Sequence, residues 1–269
     1  MLSAQTANRR YFRRAYRTGR HGWATQQPSP HAMAFLRRLR RAIPGGRLLD
    51  VGCGEGRHAI AAAKLGFRVV AIDYEPLALR RARRFAKAGN VRGVAFRLAD
   101  ILRAAFADPR FDVVLDYGCL HHQRKSAWPA YRAAVLRALK PGGFYVLSVF
   151  SPGFHLFRGR NRPWHIAQGA YRRCFTKQPI RRLAGRELEV MALTEEKGSG
   201  RGFWHALMRR RAKPAGHVAR ARGPRISESA ARTPRGSRRG SSSSRASCTP
   251  GRAAAPPRCR TVRRSAAGR

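Results

Sequence analysis

The chain has 269 residues, 43% of them hydrophobic, and carries 57 Lys and Arg against 13 Asp and Glu, a formal charge of +44. The hydrophobic share suits a globular protein and excludes a wholly disordered one, but the charge lies far outside the usual range and nominates nucleic acid as a partner without selecting it. No run nears the ~20 apolar residues of a membrane span, and Cys53, Cys119, Cys174, Cys248 and Cys259 form no CxxC pair, which predicts a reducing, cytoplasmic setting without a zinc or redox motif.

In chain order, residues 1–45 read as an N-terminal helical cap with a helix over His31 to Arg41. Its run Arg37-Arg38-Leu39-Arg40-Arg41 reads as a solvated face or as a basic patch. Between 46 and 211, short apolar runs alternate with amphipathic stretches, the pattern of βαβ units. Strands are predicted at Arg47 to Val51, Phe67 to Ile72, Val94 to Leu98, Phe111 to Leu115, Gly143 to Phe150, Leu188 to Leu193 and Phe203 to Met208. Helical patterns fall at Arg57 to Leu65, Pro76 to Ala88, Ala127 to Leu139 and Thr176 to Leu183. Seven strands in this order predict an α/β fold, a doubly wound and mostly parallel sheet.

Residues 152–175 fit neither period and contain Gly153, Gly159, Pro163 and Gly169, so they are expected to form a long loop or lid carrying His155, Trp164, His165 and Tyr171. From 212 to 269 there is no aromatic residue, and Val218, Ile226 and Val262 are the only large aliphatics. Such a segment buries too little apolar surface to offset chain entropy and is expected to be disordered. It reads as a nucleic-acid arm or, with no aromatic to stack on bases, as a low-complexity extension of little function, such as out-of-frame translation would give.

The chemistry-bearing residues gather in the first half of the α/β region. Leu48-Leu49-Asp50-Val51 runs straight into Gly52-Cys53-Gly54-Glu55-Gly56. Glycines there let the backbone turn sharply at the crevice where open α/β sheets bind nucleotides. The spacing is GxGxG and not the GxGxxG of a dinucleotide fold, and alone it is equally a plain tight turn. The next strand ends at Asp73, 17 residues beyond Gly56, where a carboxylate can accept from two ribose hydroxyls. The third strand leads to Asp100-Ile101, an acid for an adenine amino group beside an aliphatic for the ring, and the fourth ends at Asp116-Tyr117. Singly, each acid is a helix cap or a solvated loop residue. In a chain with only 13 acids, one at each of four successive strand ends outlines an adenosine pocket.

The segments LLDVGCGEGRHAI, VVAIDYEP, LADI, FDVVLDYGCLHH and LKPGGFYVLSVF resemble the ordered motifs of class I S-adenosylmethionine-dependent methyltransferases. His21-Gly22-Trp23 through Pro28-Ser29-Pro30, with the helix after it, is similar to the cap of small-molecule members such as the tellurite-resistance and thiopurine types. The resemblance implies a seven-stranded sheet whose last strand is antiparallel, S-adenosyl-L-methionine as cofactor, and no metal. It assigns Gly52, Gly54 and Gly56 to the loop around the methionine portion, with Asp50 ordering that loop or binding the amino group. Asp73, with Tyr74 beside it, would hold the ribose, Asp100 and Ile101 the adenine, and Asp116 with Tyr117 the methionine end.

Methyl transfer from a sulfonium needs alignment and exclusion of water more than acid or base groups. Where the acceptor carries a proton, His121 and His122 are the nearest candidate bases, and a packing or capping role is the competing reading. The expected reaction is in-line methyl transfer to a small molecule. The alternatives are an RNA methyltransferase using the basic surface, although Asp116-Tyr117-Gly118-Cys119 lacks the Asn/Asp-Pro-Pro-aromatic tetrad, a non-catalytic S-adenosylmethionine-binding module, and an NAD-dependent oxidoreductase.

Overall fold

The computed structural model describes residues 4–104, 109–196 and 202–212. The C-terminal segment expected to be disordered lies, from residue 213 onward, outside the described residues. Seven strands form one sheet in the order β3-β2-β1-β4-β5-β9-β8, where β1 is Arg47–Val51, β2 Arg68–Asp73, β3 Val94–Leu98, β4 Phe111–Tyr117, β5 Leu139–Phe150, β8 Leu188–Glu196 and β9 Phe203–Arg210. Neighbouring pairs from β3 across to β5 are parallel, while β9 runs antiparallel to both β5 and β8. This is the doubly wound sheet the sequence predicts, with the last strand reversed.

Helices cover both faces, and the strand sequences require it. Leu48, Leu49, Val113, Val114 and Leu115 are fully buried, so consecutive residues of β1 and β4 send apolar side chains to opposite faces. On one face pack α2 (Pro30–Ala42), α3 (Arg57–Lys64) and α4 (Pro76–Ala88), through Leu36, Leu39, Ala59, Leu79 and Ala82. On the other lie α5 (Trp128–Ala138) and α6 (Lys177–Ala184), through Tyr131, Val135, Ile180 and Leu183. Helix starts follow local chemistry. Ser29 caps α2 by accepting from the Ala32 N–H, Glu75 caps α4 by accepting from the Leu77 N–H, and both helices open with proline.

Two regions depart from expectation. The predicted lid contains a two-stranded hairpin, β6 (Trp164–Ala167) and β7 (Ala170–Arg173), whose turn residues Gln168 and Gly169 both have positive φ, as a two-residue I′ turn requires. The N-terminal stretch holds a second helix, α1 (Ala4–Thr18). Asn8 joins these regions: its Nδ2 donates to the His122 carbonyl at 2.8 Å, and its Oδ1 accepts from the Tyr171 N–H at 2.8 Å. Among the described residues no helix is long and apolar enough to cross a membrane.

Candidate functional site

A cavity of about 1030 Å³ opens at the carboxyl ends of β1, β2 and β4, the crevice expected of an open α/β sheet. Its floor begins with the glycine loop. Gly52, Gly54 and Gly56 have φ of 67°, 55° and 84°, all in the left-handed region. A Cβ at position 52 would lie 2.9 Å from the Cys119 Cβ, and one at 54 would lie 2.7 Å from the Tyr16 Oη. Gly52 and Gly54 line the cavity, while Gly56 packs away from it against Phe96 and Ala82.

The acids divide by partner. Asp73 is buried and braces the loop, its Oδ2 accepting from the Gly54 N–H and its Oδ1 from the Glu75 N–H, each at 2.9 Å. Each oxygen keeps capacity to accept again. Burial pushes its pKa up to about 6. Asp50 lines the cavity with its Oδ2 buried and without a hydrogen-bond partner among the described residues. Burial, reinforced by repulsion from Asp116 and Asp73, raises its pKa to about 7. Asp100 lines the cavity, holds the Leu102 N–H, and pairs at 2.7 Å with Arg9, whose guanidinium also lies over the Tyr74 ring.

Asp116 is fully buried and does not line the cavity. It accepts from the Tyr131 and Tyr145 hydroxyls at 2.7 and 3.1 Å and from the Cys119 N–H at 2.8 Å, which ties down the turn after β4. Ile101 packs into the core, and the neighbouring Leu102 faces the cavity. Tyr74 and Tyr117 line the cavity, with the Arg57 guanidinium 5.2 Å from the Tyr117 ring centroid.

The two histidines, adjacent in sequence, differ in chemistry. The His121 ring stacks on Phe150 at 3.6 Å, and its Nδ1 accepts from the Phe150 N–H at 3.3 Å. The proton of neutral His121 therefore sits on Nε2. The Nδ1 of His122 lies 2.9 Å from the Tyr171 carbonyl, which can only accept, so Nδ1 carries the proton and Nε2 keeps a lone pair. Both rings line the cavity, and burial lowers both pKa values, that of His122 to about 4. At neutral pH His122 is an uncharged acceptor.

Beside the carboxylate floor stands an aromatic wall that sequence reasoning missed. Tyr11, Phe12 and Tyr16 of α1, Trp23 after it, and Phe150, Phe154 and Phe203 all line the cavity. Tyr16 is positioned by the Trp23 indole N–H, which donates to its hydroxyl at 3.2 Å. Arg172 of β7 is buried at the same wall, its guanidinium 4.8 Å from the Tyr11 ring centroid and donating to the Ala167 carbonyl at 3.0 Å. The signal was in the sequence: Asn8, Tyr11, Phe12, Ala15 and Tyr16 recur at helical spacing.

A doubly wound sheet with one reversed strand and a glycine loop at the end of its first strand defines a Rossmann-like domain. Residues 48–143 match the family model described as a methyltransferase domain. Over that region the chain is similar to methyltransferase domains. The chain is 30% identical over 128 residues to a 2-heptyl-1-hydroxyquinolin-4(1H)-one methyltransferase of Mycobacteroides abscessus, covering 48% of this chain and 55% of that protein. It is 34% identical over 132 residues to a ubiquinone biosynthesis O-methyltransferase of Alkalilimnicola ehrlichii, covering 48% and 52%. The chain thus spans about half the length of these curated relatives. In fold it is similar to the Burkholderia thailandensis 1,6-didemethyltoxoflavin-N1-methyltransferase, solved with its substrate and S-adenosylhomocysteine, with a TM-score of 0.62, 24% identity and coverage of 78% of this chain and 92% of that one.

Proposed function

We propose that the protein transfers a methyl group from S-adenosyl-L-methionine to a small aromatic or heteroaromatic acceptor. The observation that carries the reading is Asp50: a buried carboxylate oxygen without a partner, on the floor of a large cavity beside two glycines that have no side chain to fill it. A buried anionic group calls for a cation or a donor, and a ligand with an ammonium and a sulfonium matches that need. The donor set fits as a whole. Asp50 would hold the methionine amino group, Gly52 and Gly54 would admit the methionine portion, Asp73 with Tyr74 would take the ribose, and Asp100 and Leu102 would take the adenine. Asp116 would act indirectly, fixing the turn that carries Tyr117 and the histidines.

S-adenosylmethionine supplies, when bound, an electrophilic methyl group on sulfur. The chain contributes position. Helix α1 lines the cavity with Tyr11, Phe12 and Tyr16, and the β6–β7 hairpin, tied to it through Asn8, adds Ala167, Gln168 and Arg172, so that flat apolar faces are presented to an acceptor. His122 Nε2 is the group suited to receive a proton from an acceptor hydroxyl or ring N–H, and its bond to the Tyr171 carbonyl fixes that tautomer. His121 positions Phe150 and has no free lone pair in its hydrogen-bonded tautomer.

Aromatic faces stack metabolite rings and RNA bases alike, so the RNA reading would further require an open basic groove leading to them. The hydroxyquinolone and ubiquinone-pathway relatives are consistent with a compact ring acceptor. The cysteine pattern supports a reducing, cytoplasmic setting. Transfer of tritium from methyl-labelled cofactor should enter an organic-soluble fraction of a metabolite extract. Label entering total RNA would favour the nucleic-acid reading, and none in either despite cofactor binding would favour a non-catalytic module.

A further inference from the structure

Away from the cavity lining, the sheet register and helix α2 bring two histidines and a glutamate together. On β9, His205 pairs with Ser148 of β5 on one side and with Thr194 of β8 on the other. Glu196 pairs with Phe203, which makes it the diagonal neighbour of His205 on the same face of the sheet. His31, in the first turn of α2, reaches that face and stacks on His205 with ring centroids 4.5 Å apart. One donor atom from each of His31, Glu196 and His205 lies within 4.8 Å of the others.

Three details point beyond a hydrogen-bonded stack. The His205 Nε2 and the Glu196 Oε2 are 3.3 Å apart. That is long for a charge-assisted hydrogen bond, but it is the separation of two donors on one ion at about 2.1 Å each. His31 Nδ1 is buried with no hydrogen-bond partner among the described residues, which costs free energy unless something meets it. His205 Nδ1 lies 2.9 Å from the Ser148 Oγ in a fully buried pair. The Ser148 hydroxyl can donate or accept, so two tautomers fit: with Nε2–H donating to Glu196 the pair is satisfied without an ion, whereas with Nδ1–H donating to Ser148 the Nε2 lone pair faces the carboxylate oxygen and calls for a cation between them. A partner on the second nitrogen is also the usual support for a metal-binding histidine.

We propose that His31, Glu196 and His205 form a binding site for a divalent transition-metal ion, which clips the start of α2 to the β8–β9 hairpin. Two imidazoles and one carboxylate suit Zn2+, Co2+ or Ni2+ and leave at least one coordination position for water. The two rings lie 3° from parallel, so binding requires one to turn. His31 is half-buried on a helix and is the ring with room to do so, whereas His205 is completely enclosed. The site is structural: none of the three residues lines the large cavity, but the His205 ring lies 6.4 Å from that of Tyr117, which does.

The full-length protein, stripped with chelator and desalted, would be titrated with Co2+ at micromolar concentration and followed by its visible d–d bands. The expected result is saturation at one ion per chain without a thiolate charge-transfer band. Affinity should fall by about tenfold or more in both His31→Ala and Glu196→Gln. Both residues are only half-buried, so these variants are expected to fold where His205→Ala fails to. In parallel, Zn2+ should raise the thermal midpoint of the parent and leave that of Glu196→Gln unchanged. No saturable binding by the parent, a thiolate band, or parent-like affinity in either variant would overturn the site.

Discussion

The carboxylate floor of the cavity and the aromatic wall facing it are built by different physics. The floor is a consequence of topology: parallel strands end together, so Asp50 and Asp73 are brought together by strand pairing, with Asp116 buried outside the lining, and Asp100 follows on the connection after β3. Their burial is costly, and the raised pKa values of Asp50, Asp73 and Asp116 record the cost. The wall is assembled from α1, the segment after it, β5, β9 and the connection that follows β5, and it depends on a few long-range polar bonds such as the two made by Asn8. Under the proposed function, the floor would take the donor and the aromatic lining the acceptor.

His122 is the base in the proposed function, so its removal should have the largest effect. His122→Ala is expected to lower kcat by about a hundredfold to ten thousandfold while donor affinity stays near that of the parent. His121→Ala should affect stability more than chemistry. Because His122 is held near a pKa of about 4, the parent rate should fall away only as pH drops through about 4, rather than near 6.5. Equal losses of kcat in the two variants, or an acid limb near 6.5, would remove the distinction between the rings.

The floor can be tested through its electrostatic cost. The folded-state pKa of Asp50 lies near 7, above its unfolded value. Relative to a neutral residue, Asp50 therefore costs nothing below about pH 4, and stability is lost progressively as pH rises through about 7. Asp50→Asn in the ligand-free protein should match the parent in chemical denaturation at pH 4. It should exceed it by on the order of a few kcal/mol at pH 8, while binding S-adenosylhomocysteine more weakly. Comparing the two proteins at each pH cancels the opposite trend from the buried histidines. A pH-independent difference would mean that Asp50 is not the strained group.

The wall should give way more gently. Asn8→Ala leaves the His122 carbonyl and the Tyr171 N–H without partners, at a cost of about 1–3 kcal/mol. The predicted signature is faster proteolysis within 152–175, with the sheet core unchanged. Cleavage at the parent rate would show that α1 does not hold the hairpin.

The same division explains what could be read from the sequence. Strand ends and the glycine loop are local signals, so the gathering of Asp50, Gly52, Gly54, Asp73, Tyr74 and Asp100 around one cavity was legible. Orientation was not. Ile101 and Leu102 are adjacent aliphatics, and only the course of the chain after β3 decides that Leu102 faces the cavity. Asp116 looked like a site acid, but the hydroxyls of Tyr131 and Tyr145 approach it from other elements. The β6–β7 hairpin was hidden because each strand has four residues and the turn is Gln168-Gly169, not the Asn-Gly that signals a hairpin. Helix α1 was hidden because arginine occupies so many of its positions that its apolar stripe is diluted.

The central claim, that the floor is a methyl-donor site, is tested most directly by calorimetric titration of the purified chain with S-adenosylhomocysteine and with NAD. The account predicts saturable one-to-one binding of S-adenosylhomocysteine, weakened by about a hundredfold in Gly54→Val, whose side chain would collide with Tyr16, and no comparable binding of NAD. Preferential binding of NAD, or S-adenosylhomocysteine binding unchanged in Gly54→Val, would contradict it.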